Sequence, residues 1–348
     1  MTLLEEPPRS LRLRIDQTAI ADNWRMLDAL SGSAETGAAV KANAYGVGVE
    51  AAVPALLAAG ARSFFVAHWS EVAVVRTLAG QASVSVLHGV RNDQEAAYAR
   101  ATGAIPVINS LHQAQVWSAS GGGPCHLMVD TGINRLGIAP SEIGDPAIRA
   151  LAIDTLMSHL ASADEDSALN ALQLQRFREA AAAVPAKRLS LANSAGIARG
   201  ADFACDLTRP GLALYGGVPH PSLAGRIRQV AFPEAAILQI RHLAPGDCVG
   251  YNATWTAQRP TRAATVSIGY ADGFLRQMGL GCALQHEGRA LPLLGRVSMD
   301  MVVVDASDST AKEGDFLEIP CELPEVSRRS GLSQYEVLTV LGQRFARN

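Results

Sequence analysis

A lysine stands at the end of an apolar run in Gly37-Ala38-Ala39-Val40-Lys41-Ala42-Asn43-Ala44-Tyr45-Gly46. An ammonium carried into a cleft by a buried strand loses its proton more readily, and the free amine is a nucleophile that forms Schiff bases with aldehydes. Taken alone, the motif reads equally well as a strand-end lysine reaching water. Other residues with chemical potential recur in similar places. Asp130-Thr131-Gly132-Ile133-Asn134-Arg135, His159, Asn193-Ser194 and Arg209-Pro210-Gly211 each adjoin a short apolar run. A single His or Ser at a strand end is usually structural. Several such positions together, of types that bind phosphate, form imines and clamp carboxylates, read as a site.

These residues must be positioned by the elements around them. Over the first two thirds of the chain, short apolar runs alternate with alanine-rich helical stretches. The runs fall at 38–42, 63–67, 84–88, 105–108, 126–129, 155–159, 188–191 and 212–215, with helical patterns such as 50–59, 71–78, 111–119 and 167–183 between them. Strands rich in Val, Ile, Leu and Ala, each followed by a helix, read as βα units of a parallel sheet. Eight of them predict a (β/α)8 TIM-type barrel, for which ~250 residues is typical. A doubly wound open sheet is the runner-up, but no Gly-x-Gly-x-x-Gly follows the early strands. In a barrel the active site is built at the C-terminal rim of the strands. Lys41 and Tyr45 would follow the first strand, Asp130–Arg135 the fifth, His159 the sixth and Ser194 the seventh, while Arg209 would lead into the eighth.

After about residue 222 the pattern changes to short β-type runs at 236–240, 248–256, 264–269, 289–294, 301–305 and 316–319, separated by turns such as Pro245-Gly246-Asp247. This predicts a barrel over 11–222 and a mostly antiparallel β domain over 223–348. Residues 11–15 alternate like a strand, so residues 1–15 are candidates to join the β domain. At 348 residues two domains are expected. Hydrophobic residues make up 48% and charged residues 18%, with net charge −3 and no long basic run, which argues against nucleic acid or an anionic membrane as partner. No stretch is long and apolar enough to span a bilayer, and the first residues lack a basic start and an apolar signal core. The five cysteines at 125, 205, 248, 282 and 321 are scattered, without a Cys-x-x-Cys pair. Reduced thiols in a cytoplasmic protein are expected, and no metal site.

In its motifs the chain resembles the alanine racemases, pyridoxal-phosphate enzymes of fold type III with an N-terminal barrel and a C-terminal β domain. The resemblance runs from about residue 13 to 344. It rests on Val40-Lys41-Ala42-Asn43-Ala44-Tyr45-Gly46, Val129-Asp130-Thr131-Gly132-Ile133-Asn134-Arg135-Leu136-Gly137, Ser158-His159-Leu160-Ala161-Ser162-Ala163-Asp164-Glu165 and Ala192-Asn193-Ser194-Ala195. It continues through Arg209-Pro210-Gly211-Leu212-Ala213-Leu214-Tyr215-Gly216, Val249-Gly250-Tyr251, Ile268-Gly269-Tyr270-Ala271-Asp272-Gly273 and Gly295-Arg296-Val297-Ser298-Met299-Asp300. The resemblance implies that Lys41 holds pyridoxal 5'-phosphate as a Schiff base. The hydroxyls of Tyr45, Ser194 and Tyr335 and the backbone N–H groups of Gly211 and Leu212 would take its phosphate. Arg209 would face the pyridine nitrogen. A guanidinium donates a hydrogen bond but is a poor proton source, so the nitrogen would stay unprotonated, favouring racemisation over transamination.

The resemblance also implies two bases, Lys41 on one face of Cα and Tyr251 on the other, with Tyr251 reaching in from a second subunit. A free tyrosine has a pKa of ~10, and a His159–Arg209 chain would support it. Arg135 would hold the substrate carboxylate, with Met299 and Asp300 at the same end. Tyr270 and Tyr335 would narrow the entrance to a side chain as small as methyl, with Asp164, Arg276 and Arg296 further out. The implied protein is a homodimer with shared sites acting on alanine.

Two positions depart from the family pattern. Met128 stands where many members carry a lysine that becomes carbamylated and steadies Arg135, so another group, an anion or the Asn134 side chain, is expected to orient that arginine. Val47 replaces a histidine common after Tyr45-Gly46. Three alternatives stand beside this reading. A racemase of broader specificity, for serine or basic amino acids, would use the same pair. A non-catalytic pyridoxal-phosphate carrier would lack the β domain. A decarboxylase of this architecture would place a carboxylate where Arg209 stands.

Overall fold

The computed structural model describes residues 7–347. The described residues form two compact units, Gln17–Arg228 and a second made of residues 7–16 together with 229–347. The break falls at Arg228–Gln229, a few residues after the change of sequence pattern near 222.

In the first unit seven strands pair in parallel and in chain order: Ala38–Ala39, Ser63–Val66, Ser83–Val86, Ile105–Ile108, Pro124–Met128, Ala152–Met157 and Arg188–Ser190. An eighth, Leu207–Thr208, pairs in parallel with Glu35–Thr36, which leads into the first strand. Asp206 N–H donates to Leu189 O at 3.0 Å, Arg209 N–H to Ala192 O at 2.8 Å and Ala39 N–H to Pro210 O at 2.8 Å, which closes the ring. The expected (β/α)8 barrel is thus present. Phe64, Val84, Val107, Leu127 and Leu156 are fully buried, as strands covered on both faces must be. The surrounding helices include Gln17–Ser31, Val49–Ala59, Val72–Ala79, Asp93–Thr102, Leu111–Ala119 and Ala168–Ala183. Side-chain oxygens of Asn92, Ser110 and Ser167 cap three of them.

One strand assignment needs correction. The apolar run 212–215 is not the eighth strand but a buried 3-10 turn, Leu212–Tyr215. Short apolar runs do not distinguish a strand from a buried turn, and the true strand is two residues long. Arg209 therefore follows the eighth strand rather than leading into it, which puts it on the same rim as the other site residues.

In the second unit, Ala231–Leu243 pairs antiparallel with Thr261–Val266 and with Phe316–Glu318. Val302–Asp305, Arg289–Leu294 and Ala283–His286 complete a closed antiparallel sheet. A register irregularity between Ile237 and Gln239 lets the long strand bend from one neighbour to the next. Leu11–Ile15 pairs antiparallel with residues 231–235. Its Leu11, Leu13 and Ile15 point inward, while Arg12 and Arg14 lie over the Phe316 and Phe232 rings at 3.5 and 4.0 Å. Among the described residues no helix is long and apolar enough to cross a membrane.

Candidate active site

The barrel rim opens with an uncommon backbone. After Lys41, residues Ala42, Asn43, Ala44 and Tyr45 have φ of 52°, 54°, 52° and 57°. This is one turn of left-handed helix, which in L-residues costs roughly 1–2 kcal/mol each. The turn closes through Ala44 N–H to Val40 O and Gly46 N–H to Ala42 O, both at 2.9 Å. Asn43 secures its far side, the Oδ1 accepting from Val49 N–H at 2.9 Å. On the near side a Glu71 carboxylate oxygen accepts the Ala42 N–H. The turn carries Tyr45 inward, where its buried ring lies 5.1 Å from that of Tyr215. Strain of this kind clusters where function needs a fixed geometry.

Lys41 itself is half-buried. Burial above all, then the cations of Arg135 and Arg209, hold its pKa below the ordinary 10.5, with the Glu71 carboxylate opposing them. The chain has three lysines. Lys187 precedes its strand, at the opposite end of the barrel, and Lys312 belongs to the β domain. Lys41 is thus the one lysine on the C-terminal rim.

A cradle of donors adjoins it. Ser194 opens the helix Ser194–Ala198, capped by the Asn193 side chain, and is 2% exposed. Its Oγ accepts from Gly211 N–H at 3.0 Å and Ala213 N–H at 3.2 Å, leaving the hydroxyl proton to donate. A Cβ at Gly211 would stand 2.2 Å from the Tyr45 hydroxyl, so only glycine lets that hydroxyl lie against the backbone. Tyr45, Ser194, Gly211 and the turn begun by Leu212 therefore converge beside Lys41. Hydroxyl and N–H donors next to an imine-forming amine fit the phosphate and aldehyde of pyridoxal phosphate.

Arg209 is buried, and its guanidinium donates to Ser158 O at 2.6 Å and to Ser190 Oγ. Burial pulls its pKa down to about 10, still well above neutrality, so it remains a cation. Burial and the nearby charges of Arg209, Arg135 and Lys41 push His159 down to about 3, which keeps its imidazole neutral at pH 7.

Arg135 stands on the loop after the fifth strand. Asp130 organises that loop, its Oδ1 accepting from Gly132 N–H at 2.7 Å and Ile133 N–H at 3.0 Å and its Oδ2 from Arg135 N–H at 3.2 Å. Asn134 has φ of 54°, a conformation asparagine tolerates. Among the described residues the exposed Arg135 guanidinium has no hydrogen-bond or ion-pair partner. Among the described residues neither Asn134 nor another side chain contacts the guanidinium in place of a carbamate; the loop is held through its backbone. Met128 is 7% exposed beneath it, its Cγ 3.1 Å from where a Cβ on Gly137 would lie. Val47 is fully buried.

The remaining expected residues lie in the β domain. Tyr251 tops the hairpin of Cys248–Val249 and Trp255–Thr256 and is 68% exposed. A Cβ on Gly295 would come 2.8 Å from Val249 O, so that hairpin packs on the Gly295–Arg296 segment leading to Met299. Tyr270 N–H donates to Ser298 O and Ala271 N–H to Met299 O, both at 3.0 Å, tying the Tyr270 turn to the Met299 loop. Arg344 bridges Asp272 and Asp300 at 2.6 and 2.8 Å. The Arg276 guanidinium lies 5.4 Å from the Tyr270 ring. Tyr335 is in helix Gln334–Thr339, whose exit is fixed to the Tyr270 turn by Gly342 N–H to Asp272 O at 3.0 Å. The structure thus gathers Lys41, Tyr45, Arg135, His159, Ser194, Arg209, Gly211 and Leu212 on the barrel. It gathers Tyr251, Tyr270, Met299, Asp300 and Tyr335 on the β domain.

Sequence reasoning passed over Glu71, Asp130 as a loop clamp, and Ser158 and Ser190 as acceptors for Arg209. Asp130 lay inside a quoted motif; Glu71 carried no signal beyond that of an acidic residue at a helix start.

The chain matches the family model for the alanine racemase N-terminal domain over residues 15–219 and that for the C-terminal domain over 230–348. It is 41% identical to the alanine racemase of Rhizobium meliloti (strain 1021), covering 97% of this chain and 96% of the relative. It is also 41% identical to a biosynthetic alanine racemase of Agrobacterium fabrum, with 97% and 93% covered. Among solved structures, the alanine racemase of Bartonella henselae with covalently bound pyridoxal phosphate superposes with a TM-score of 0.90 at 35% identity, covering 98% of this chain and 99% of that one.

Proposed function

The chain belongs to the alanine racemase family, and we propose that it interconverts L- and D-alanine with Lys41 and Tyr251 as its two proton-handling residues. It is a pyridoxal-phosphate-dependent isomerase. When bound, the cofactor supplies an electron-withdrawing ring conjugated to the substrate nitrogen, which acidifies the Cα proton. The chain's own residues then decide which protons move. The amine of Lys41, biased toward its neutral form by burial and two arginines, takes or gives a proton at Cα on one face. The Tyr251 hydroxyl serves the other face. Arg209, held as a cation between Ser158 O and Ser190 Oγ, offers the ring nitrogen a hydrogen bond and no proton, so return of the proton to Cα is favoured. A His159–Arg209 chain would help Tyr251 act as a base, with His159 neutral at pH 7. The Arg135 guanidinium takes the substrate carboxylate, with the Met299–Asp300 loop at the same end. Tyr270 and Tyr335 restrict the side chain to methyl.

The observation that carries this reading is the cradle, in which Gly211 admits the Tyr45 hydroxyl beside Ser194 at the end of the turn begun by Lys41. We place the enzyme in the cytoplasm as a head-to-tail homodimer. Each β domain would lend Tyr251, Tyr270 and Met299 to the other subunit's barrel. The five free cysteines suit a reducing compartment.

The test is deuterium wash-in at Cα in D2O, with pyridoxal phosphate and a panel of L- and D-amino acids. We expect exchange with loss of optical activity for alanine and little for serine or lysine. Exchange across the panel would replace alanine specificity by a broad racemase. A cofactor-bound protein that exchanges nothing would defeat the enzymatic reading.

A further inference from the structure

We propose that Glu71 is the positioning residue for Lys41, its carboxylate holding the left-handed turn that sets where the Lys41 amine sits. The proposal rests on the site reading above and adds a residue to it. Four successive L-residues after Lys41 occupy a backbone region that favours glycine, so outside contacts must hold them there. The far side of the turn is tied by Asn43 and Gly48, the Gly48 N–H donating to Asn43 O at 2.9 Å. The near side, at the peptide joined to Lys41, is tied by Glu71.

One Glu71 oxygen takes the Ala42 N–H. The other takes Ala67 N–H at 2.8 Å and His68 N–H at 2.9 Å, where the second barrel strand ends. A single carboxylate therefore ties the Lys41 turn to the neighbouring strand through three charge-assisted hydrogen bonds. Its side chain does not cap the helix Val72–Ala79 that follows it; the bond from His68 N–H caps the preceding 3-10 turn Trp69–Glu71, but the bonds from Ala42 N–H and Ala67 N–H reach outside that turn and are not accounted for by capping. Glu71 is also the anion among the charges that act on Lys41, countering burial, Arg135 and Arg209. It fixes the position of the amine and limits how far its pKa falls.

The test uses the full-length chain and two variants, Glu71→Gln and Glu71→Asp. Hydrogen exchange of the 42–48 peptide is followed in the cofactor-loaded enzyme. In enzyme stripped of cofactor, the pH at which Lys41 is labelled by acetic anhydride is located by peptide mass, Lys187 and Lys312 serving as internal standards. In Glu71→Gln we expect exchange at 42–48 to rise about tenfold, with 168–183 unchanged, and the labelling midpoint of Lys41 to move to lower pH. Glu71→Asp keeps the charge on a shorter arm, so exchange should rise while the midpoint stays closer to wild type. It carries the test if Glu71→Gln does not fold. Wild-type behaviour in either readout of Glu71→Gln, or a midpoint in Glu71→Asp displaced as far as in Glu71→Gln, overturns the proposal. Borohydride reduction of the wild-type holoenzyme separates this from the site reading. Cofactor fixed on Lys187 or Lys312 would refute the site reading while leaving the exchange result to judge Glu71.

Discussion

At the scale of single residues, the site is built by what each side chain is prevented from doing. Arg209, although burial lowers its pKa to about 10, still holds its proton at neutral pH, while the Lys41 amine is kept from holding its own tightly. Asp130 spends both carboxylate oxygens on loop N–H groups, so the arginine that follows has a fixed backbone and a free guanidinium. Met128 beneath the loop brings no charge of its own to Arg135, and the Asp130 clamp is what fixes the backbone that carries the guanidinium. Gly211 is prevented from bearing a side chain. Gly211→Ala would drive a methyl to 2.2 Å from the Tyr45 hydroxyl, forcing the tyrosine out of the cradle. We expect pyridoxal-phosphate affinity to fall about tenfold or more, equivalent to ~1.4 kcal/mol, with little change in melting temperature of the cofactor-free protein. Titration of cofactor absorbance measures this, and unchanged affinity would show that the cradle does not hold the phosphate.

At the scale of elements, most of the barrel was legible because its strands are buried on both faces and read as unbroken apolar runs. The eighth was not: Leu207–Thr208 is too short to show a pattern, and the apolar 212–215 segment beside it is a turn plugging the rim. Ala283–His286 was also passed over, since its partly exposed residues lack the apolar weight of its neighbours. The site residues on the barrel were legible through the order of their motifs. The left-handed turn was not, because two of its four members are alanines, which announce no such conformation. Nor was the polarity of the barrel interior. His126, on the fifth strand and 2% exposed, contacts Ser85 Oγ through Nε2 at 3.0 Å, while its Nδ1 stands 3.8 Å from Asp154, itself paired with Arg188 at 2.8 Å. Burial foremost, with Arg188 and Arg209 adding to it against the pull of Asp154, depresses His126 from 6.5 to about 4. The unfolded chain therefore binds a proton below about pH 6.5 that the folded chain refuses until about pH 4. The neutral imidazole costs nothing above that window, and stability falls as pH drops through it. Between pH 6.5 and 5 this residue should remove about 2 kcal/mol. Urea unfolding at the two pH values would show this loss in wild type and a clearly smaller one in His126→Asn. An equal loss in both would assign the acid sensitivity elsewhere, His159 being the other imidazole pushed far down.

At the scale of the whole molecule, the β domain leaves several large side chains of the expected site exposed. Tyr251 is 68% exposed, Met299 52%, Tyr335 42% and Met301 41%. In the proposed dimer a second copy would cover the segments that carry Tyr251 and Met299. A closed pair of this kind would make two sites, each with Lys41 from one chain and Tyr251 from the other. The arrangement can be tested without a structure of the complex. Lys41→Ala and Tyr251→Phe should each abolish racemisation when pure. Mixed in equal amounts and allowed to exchange subunits, they should form hybrids in about half of all dimers. Each hybrid holds one site with both defects and one with none, so activity should return to about a quarter of wild type. If instead each chain used its own tyrosine, every site in the mixture would carry a defect and no activity would return.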